Sequence, residues 1–374
     1  MYHSGVIRRL YIHNYRCLEN FDLPISDKPS VLLIGKNGSG KTTVGLALEV
    51  LQKIARGTNR VGELVRPRDF PLGRTDAPMR FEIEVQLKGK LYAYSVAFEL
   101  PTAFKELRVS DESLRVDDQT IYSRKIADVV LPRSSRDREA KFSIDWHLVA
   151  LPIIQQSSDK DPIAIFRAWL GKMIIIRPIP SMIRGLSDTE TLQPNSEVTD
   201  FAAWFSGLVA YAPAAYARIA EYLRRVMPDL SDIQNPQVAP DSRSLTVRYA
   251  SDQGTVSIPF DDLSDGEKCF MISALVLASN QVFDSVFCFW DEPDNYLALD
   301  EVGHFTMELR KTFEKRGQLI ATSHNPETIR RFSDENTLVL YRRNHLEPTV
   351  ARPLSDFQIK GDRISALLTG DLNP

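Results

Sequence analysis

Cysteine is scarce in this 374-residue chain. Cys17, Cys269 and Cys288 stand far apart, with no C-x-x-C spacing. That excludes a disulfide framework and a cysteine metal knuckle, and it suits buried thiols in a reducing compartment. No apolar run approaches the roughly 18 residues of a membrane span, and Met1 to Leu10 lacks a signal-peptide core. A cytoplasmic protein without membrane contact is expected. Neither sign of charge dominates: 46 Lys and Arg face 49 Asp and Glu, for a net charge of −3. Such a balance does not advertise a nucleic-acid binder, although a local basic patch is compatible with it. No internal repeat or low-complexity segment stands out. A long coiled coil is excluded as well, because Pro152, Pro162, Pro178, Pro180, Pro194, Pro213, Pro228, Pro236 and Pro240 would each break or kink it.

What is present is organised around residues 31 to 44. An apolar run, Val31 to Ile34, ends at Gly35, and after four intervening residues come Gly40, Lys41 and Thr42, opening a helix-like run from Thr43 to Ile54. This is G-x-x-x-x-G-K-T between a strand and a helix. Gly35, Gly38 and Gly40 can bend the loop without a Cβ clash, so its N–H groups, from Lys36, Asn37, Ser39 and Thr43 as well, can converge on a phosphate. The helix N-terminus adds partial positive charge. Lys41 is placed to reach the β- and γ-phosphates of ATP, and Thr42 to ligate Mg²⁺.

Around this loop the pattern is mostly short strands. Val6 to Ile12 and Asn20 to Ile25 flank a turn at Arg16 to Glu19. Residues 58 to 77, rich in Arg, Pro and Gly, read as a loop. Met79 to Leu87 alternates, with Phe81, Ile83 and Val85 on one face. Leu91 to Leu100 pairs with it across Lys88-Gly89-Lys90, a hairpin. Shorter strands are expected at Lys105 to Val109 and Thr120 to Ser123, which makes an antiparallel meander. Arg133, Arg136, Arg138 and Lys141 are mixed with Asp137 and Glu139, so residues 132 to 142 read as a solvated loop. Ile163 to Leu170 and Glu197 to Val226 carry helical periodicity. There Phe201, Trp204, Phe205, Leu208 and Val209 suit a core. Ser244 to Tyr249 and Thr255 to Pro259 form a strand pair.

Three further motifs follow. Leu263-Ser264-Asp265-Gly266-Glu267-Lys268 opens an apolar helix through Ala278. Locally it is a capping box, with Ser264 as the cap and Glu267 reaching back. The same helix end is an anion site for which Ser264, Gly266 and backbone N–H groups make the contact, Asp265 being electrostatically unsuited. Ser285 to Trp290 is an apolar strand ending in Asp291 and Glu292. Paired carboxylates there suit Mg²⁺ coordination by Asp291 and the orientation or deprotonation of a water by Glu292. Gly317 to Thr322 is another apolar strand, ending near His324. A histidine at that place either packs structurally or senses the γ-phosphate.

In their order, phosphate loop, LSDGE, DEP and TSH, the motifs resemble the ABC-type ATPase heads of the RecF, SMC and OLD group, and most of all the AAA family ATPases of bacterial defence and DNA-maintenance loci. The resemblance runs from Tyr11 to the Gly370-Asp371-Leu372 tail. It implies an α/β P-loop NTPase fold, an ABC-ATPase-type head with an antiparallel β-meander lobe and a helical insertion. It implies three parts: residues 1–158 with the phosphate loop and meander, 159–242 as a mostly helical insertion, and 243–374 with signature, Walker B and switch histidine. By the same resemblance Leu263 to Glu267 is the signature motif, Tyr296 to Asp300 the D-loop and His324 the switch histidine. Arg16 matches an arginine that approaches the nucleotide, and Gln155 or Gln156 the Mg²⁺-contacting glutamine of the Q-loop. Two heads are then expected to form a homodimer around two ATP molecules, Ser264 of one facing the phosphates on Lys41 of the other.

Long coiled coils and a C-terminal Toprim nuclease are departures: after His324 only about fifty residues remain, few for a domain. No nucleophile or carboxylate cluster outside the ATP motifs suggests a second activity. The expected function is therefore Mg²⁺-dependent ATP hydrolysis that switches a separately encoded effector, as in phage defence, with residues 160 to 240 as its docking face or simply as packing. The alternative is a RecF-like ATPase that binds DNA in repair or maintenance.

Overall fold

The computed structural model describes residues 5–132, 139–283 and 285–357. Arg133, Arg136, Arg138 and the Gly370 to Leu372 tail lie outside the described residues. The chain divides into two compact units, Met1–Met173 with Ser333–Pro374, and Ile174–Phe332.

The first unit holds an eight-stranded antiparallel sheet. From edge to edge its strands are Phe21–Leu23, Val6–His13, Met79–Leu87, Lys90–Glu99, Arg108–Val116, Gln119–Lys125, Asp128–Leu131 and Ala140–Ser143. Met79–Leu87 buries every second residue, as a half-covered strand must. Lys88 and Gly89 both have positive φ, 48° and 80°, the geometry of a two-residue hairpin turn. The meander is thus as expected, but longer. Lys105 to Leu107 form a loop and the strand starts only at Arg108, running to Val116, and Lys141 lies in a strand, paired with Glu139 at 3.2 Å. Residues 58 to 77 include a helical turn, Val61–Leu64, and two 3₁₀ turns. The same unit contains the strand Ser30–Ile34, which pairs in parallel with Thr337–Tyr341; the latter pairs antiparallel with Val350–Pro353. Helix Lys41–Ala55 packs near helix Pro162–Gly171, where Arg56 Nε donates to the Gly171 carbonyl at 3.0 Å.

In the second unit Ile174–Ile176, Phe287–Trp290 and Gln318–Thr322 run in parallel. All of their residues are buried, the mark of strands covered on both faces. Helix Asp265–Val282 is buried from Lys268 to Asn280. Helices Phe201–Tyr211 and Ala214–Val226 break at Pro213 and share one apolar core with it. Phe201, Trp204, Phe205, Ile219 and Leu223 meet Phe270 and Leu275 there.

By the grouping into two units, residues 159–173 fall in the first unit, and 174–242 fall in the second with the signature and Walker B segments. The latter segment is not mostly helical. Leu230–Gln234 joins Thr246–Ser251 and Gly254–Pro259 in one small sheet, and Leu186–Ser187, Ser242–Ser244 and Gln237–Ala239 form another. Phe201, Trp204, Phe205 and Tyr222 are core, whereas Tyr211 is exposed.

Candidate active site

In the first unit the phosphate loop is shaped by a strand register. Ile34 lies abreast of Val339, so the chain leaves its strand beside Leu340. Gly35 turns there at φ 151°; a Cβ would collide with the Leu340 carbonyl oxygen and lie 2.7 Å from Ser39 Oγ. Gly40, at φ 101°, occupies the N-cap of Lys41–Ala55. A Cβ on it would sit 2.9 Å from both Cys17 Sγ and Thr349 Oγ1. Between the two glycines Lys36, Asn37 and Gly38 are exposed and Ser39 is buried. This leaves loop N–H groups open to an anion at a helix N-terminus. Lys41 is 6% exposed. Its ammonium donates to the Gly35 carbonyl at 2.8 Å and to that of Lys36 at 3.4 Å, so a positive charge is held under the loop. Thr42 is exposed and Thr43 half-buried. Gly35→Ala is expected to cost roughly 2–5 kcal/mol by combining backbone strain with overpacking. Denaturant unfolding of the variant, showing no shift in midpoint, would contradict this geometry.

The turn carrying Arg16 touches the loop through its neighbour. Cys17 Sγ lies 3.7 Å from Thr43 Oγ1. Arg16 itself is held by Asp69, with Nε to Oδ1 at 3.1 Å and its own N–H to the Asp69 carbonyl at 2.6 Å. Gln155 and Gln156 are exposed in the first unit, and the segment before them is anchored from below. The Glu112 carboxylate, 1% exposed, accepts from the Ala150 and Leu151 N–H groups at 2.7 and 2.8 Å and from the Tyr94 and Tyr122 hydroxyls at 3.1 and 2.7 Å. Burial pushes this carboxyl up despite those donors, and pushes the nearby Arg124 guanidinium down.

In the second unit the ends of two parallel strands are cross-linked. Trp290 lies abreast of Ala321, which brings Asp291 and Glu292 to Thr322 and beyond. Thr322 Oγ1 donates to Asp291 Oδ1 at 2.6 Å and accepts from the Glu292 N–H at 2.9 Å. Glu292 adopts φ 52°, a conformation that costs energy in any residue but glycine and is concentrated at functional sites. Asn295 Nδ2 donates to Glu292 Oε2. His324 Nε2 stands 3.6 Å from Glu292 Oε1, within orienting distance though long for a hydrogen bond. Asp294, 3% exposed, accepts from Ser323 Oγ at 2.6 Å and from Thr328 Oγ1; burial raises its carboxyl above the usual range against those two bonds. Asn295, Thr322 and Asp294 were not legible in the sequence as site residues.

The signature helix begins as its capping box requires. Ser264 Oγ accepts from the Glu267 N–H at 3.3 Å, and Glu267 Oε2 accepts from the Ser264 N–H at 2.8 Å. Glu267 Oε1 accepts from the Tyr249 hydroxyl at 2.8 Å. Burial would raise the Glu267 carboxyl, but the bonds from Ser264 and Tyr249 outweigh it and hold the group low. Both its oxygens are thus turned into the cap, and the surface is left to Ser264, Asp265 and the edge of Gly266. A Cβ on Gly266 would lie 3.1 Å from the Tyr296 carbonyl oxygen: the helix start and the D-loop are adjacent. Tyr296 and Leu299 beside it are 43% and 74% exposed.

A lysine-bearing phosphate loop in one unit, with a capped signature helix and braced paired carboxylates in the other, is the equipment of an ABC-type ATPase head, and that is the class of this chain. Within that class it belongs to the family described as "AAA domain, putative AbiEii toxin, Type IV TA system", whose model matches residues 30–330. An OLD nuclease of Thermus scotoductus is 41% identical over 46 residues, a match that spans 12% of this chain and 8% of the nuclease. The solved SmcHead bound to the C-winged helix domain of ScpA is similar in fold, with a TM-score of 0.58 at 15% identity over 94% of this chain and 98% of that one. The SMC head domain from Thermotoga maritima gives a TM-score of 0.45 at 15% identity, covering 93% and 98%. No helix among the described residues is long and apolar enough to cross a membrane.

Proposed function

We propose that the chain binds ATP with Mg²⁺, dimerises around two nucleotides, and uses the cycle to switch a separately encoded effector in the cytoplasm. In this reading Lys36 to Lys41 and Thr43 hold the phosphates. Thr42 and Asp291, hard oxygen donors of the kind Mg²⁺ accepts alongside phosphates and water, hold the metal, with Gln155 a further ligand. When bound, the metal neutralises charge between the phosphates. Glu292 orients or deprotonates the attacking water, and His324 reads the γ-phosphate. Arg16, tied to Asp69 through Nε, shapes the turn against the phosphate loop and approaches the nucleotide.

The observation that carries dimerisation is the exposed start of the signature helix. Its anion-ready end, with Ser264 at the surface, lies beside the exposed apolar residues of the D-loop. The family description, which names a toxin–antitoxin system, supports a role in defence. The SmcHead bound to part of ScpA supports docking of a separate polypeptide on a head of this fold. Exposed Met182, Leu186, Tyr211 and Val238 make the surface of residues 174–242 the candidate face for it.

Mixing two inactive variants tests the sandwich. Ser264→Arg is expected to keep ATP binding but block dimerisation, and Lys41→Ala to bind no ATP. In a mixed dimer one composite site carries both lesions and the other neither, so ATPase activity is expected to recover in part. A Ser264→Arg protein that alone retains full, dimer-dependent activity would remove the signature from the reading. DNA held in a salt-dependent manner only with ATP would instead favour the DNA-maintenance clamp.

A further inference from the structure

The segment after strand Thr337–Tyr341 contributes to the phosphate loop in a way the motif does not include. Residues 342 to 349 are stapled onto the loop by Thr349, which is 2% exposed. Its N–H donates to the Cys17 carbonyl at 2.8 Å, and its Oγ1 to the Ser39 carbonyl at 2.8 Å. The turn itself is ordered by Asn344, whose Oδ1 accepts from the Leu346 N–H at 2.8 Å and whose Nδ2 donates to Glu347 at 3.0 Å. So held, the segment puts two cationic or cationisable side chains on the glycine at the loop's tip. A Cβ on Gly38 would lie 3.4 Å from Arg342 Nη2 and 3.7 Å from His345 Nε2.

Among the described residues no carboxylate pairs with Arg342 or with the neighbouring Lys36. The acid of its own segment, Glu347, is engaged by Asn344. Lys36, Lys41 and Arg342 therefore gather positive charge on one short loop whose N–H groups already attract an anion. Like charges gathered on one segment favour a polyanion that joins them. Arg342, a half-buried residue, also offers the planar fork that matches phosphate oxygens.

We propose that Arg342, with His345 beside it, is a second cationic contact to the polyphosphate of the bound nucleotide, additional to Lys41. This rests on the phosphate-loop reading above, and the test separates the two. Titrate Arg342→Gln, Arg342→Lys and Lys41→Ala proteins with ATP, inorganic tripolyphosphate and adenosine, using displacement of a fluorescent ATP analogue, and record melting midpoints. Arg342→Gln is expected to weaken ATP and tripolyphosphate alike by roughly ten- to hundredfold, the scale of one charged hydrogen bond. Adenosine and the melting midpoint should not change, and Arg342→Lys should recover part of the loss. If Arg342→Gln lowers the midpoint, the same comparison is read on Arg342→Lys, expected to bind both polyphosphates severalfold less tightly than the parent protein. Parental polyphosphate affinity in the variant so read, or a loss of adenosine equal to that of ATP, overturns the proposal while Lys41→Ala still abolishes binding. Tight ATP binding by Lys41→Ala overturns the phosphate-loop reading itself.

Discussion

Glu292→Gln protein is expected to bind ATP and Mg²⁺ as the parent does and to hydrolyse ATP about 10²- to 10⁴-fold more slowly, the usual cost of losing a general base. The substitution is nearly isosteric. The backbone N–H of residue 292 still donates to Thr322 Oγ1 and Asp291 keeps its bond from the same hydroxyl, so the loss falls on the carboxylate. That carboxylate sits on a backbone held at φ 52°, with Asn295 on one oxygen and His324 3.6 Å from the other. A side chain braced on both sides in a costly conformation is positioned rather than merely accommodated. Nucleotide affinity should survive, because the proposed phosphate contacts lie in Lys36 to Thr43. Single-turnover measurement with radiolabelled ATP reads the chemical step directly. Turnover at the parental rate would move the catalytic role to another residue.

Lys41→Ala has the second largest expected effect, a loss of ATP affinity of roughly 10²- to 10³-fold or more that abolishes binding at the concentrations titrated, the scale of removing one member of a buried charge pair. Lys41 is 6% exposed and its ammonium donates to two loop carbonyls, so no surface cation can take its place without rebuilding the loop. Isothermal titration checks it, with circular dichroism to show that the fold is kept. A folded variant that still binds ATP tightly would break the link between this loop and the nucleotide.

Much of this was legible in the sequence because local chemistry dictated it. The phosphate loop needs glycines at fixed offsets between a strand and a helix, and Gly35 and Gly40 adopt the left-handed backbone that only such residues tolerate well. The Ser264–Glu267 box caps its helix because the two side chains lie three residues apart. Contacts made across strands were hidden. Thr322 and Asp291 meet through a parallel register some thirty residues apart in sequence, and Arg342 reaches Gly38 only because Ile34 lies abreast of Val339. Nothing in either segment alone signals its partner. The helical reading of residues 160 to 240 failed for a different reason. The strong periodicity of Phe201 to Val226 masked strands such as Gln237–Ala239, whose residues are all exposed and show no apolar alternation.

The central claim is that ATP, once bound and not hydrolysed, draws two heads together. Multi-angle light scattering of Glu292→Gln protein, with and without ATP and Mg²⁺, tests it most directly. The account predicts a monomer without nucleotide, a mass that doubles with ATP and Mg²⁺ but not with ADP, and no doubling when Lys41→Ala is added to the same chain. A mass that stays monomeric with saturating ATP, or that is dimeric regardless of nucleotide, would contradict it.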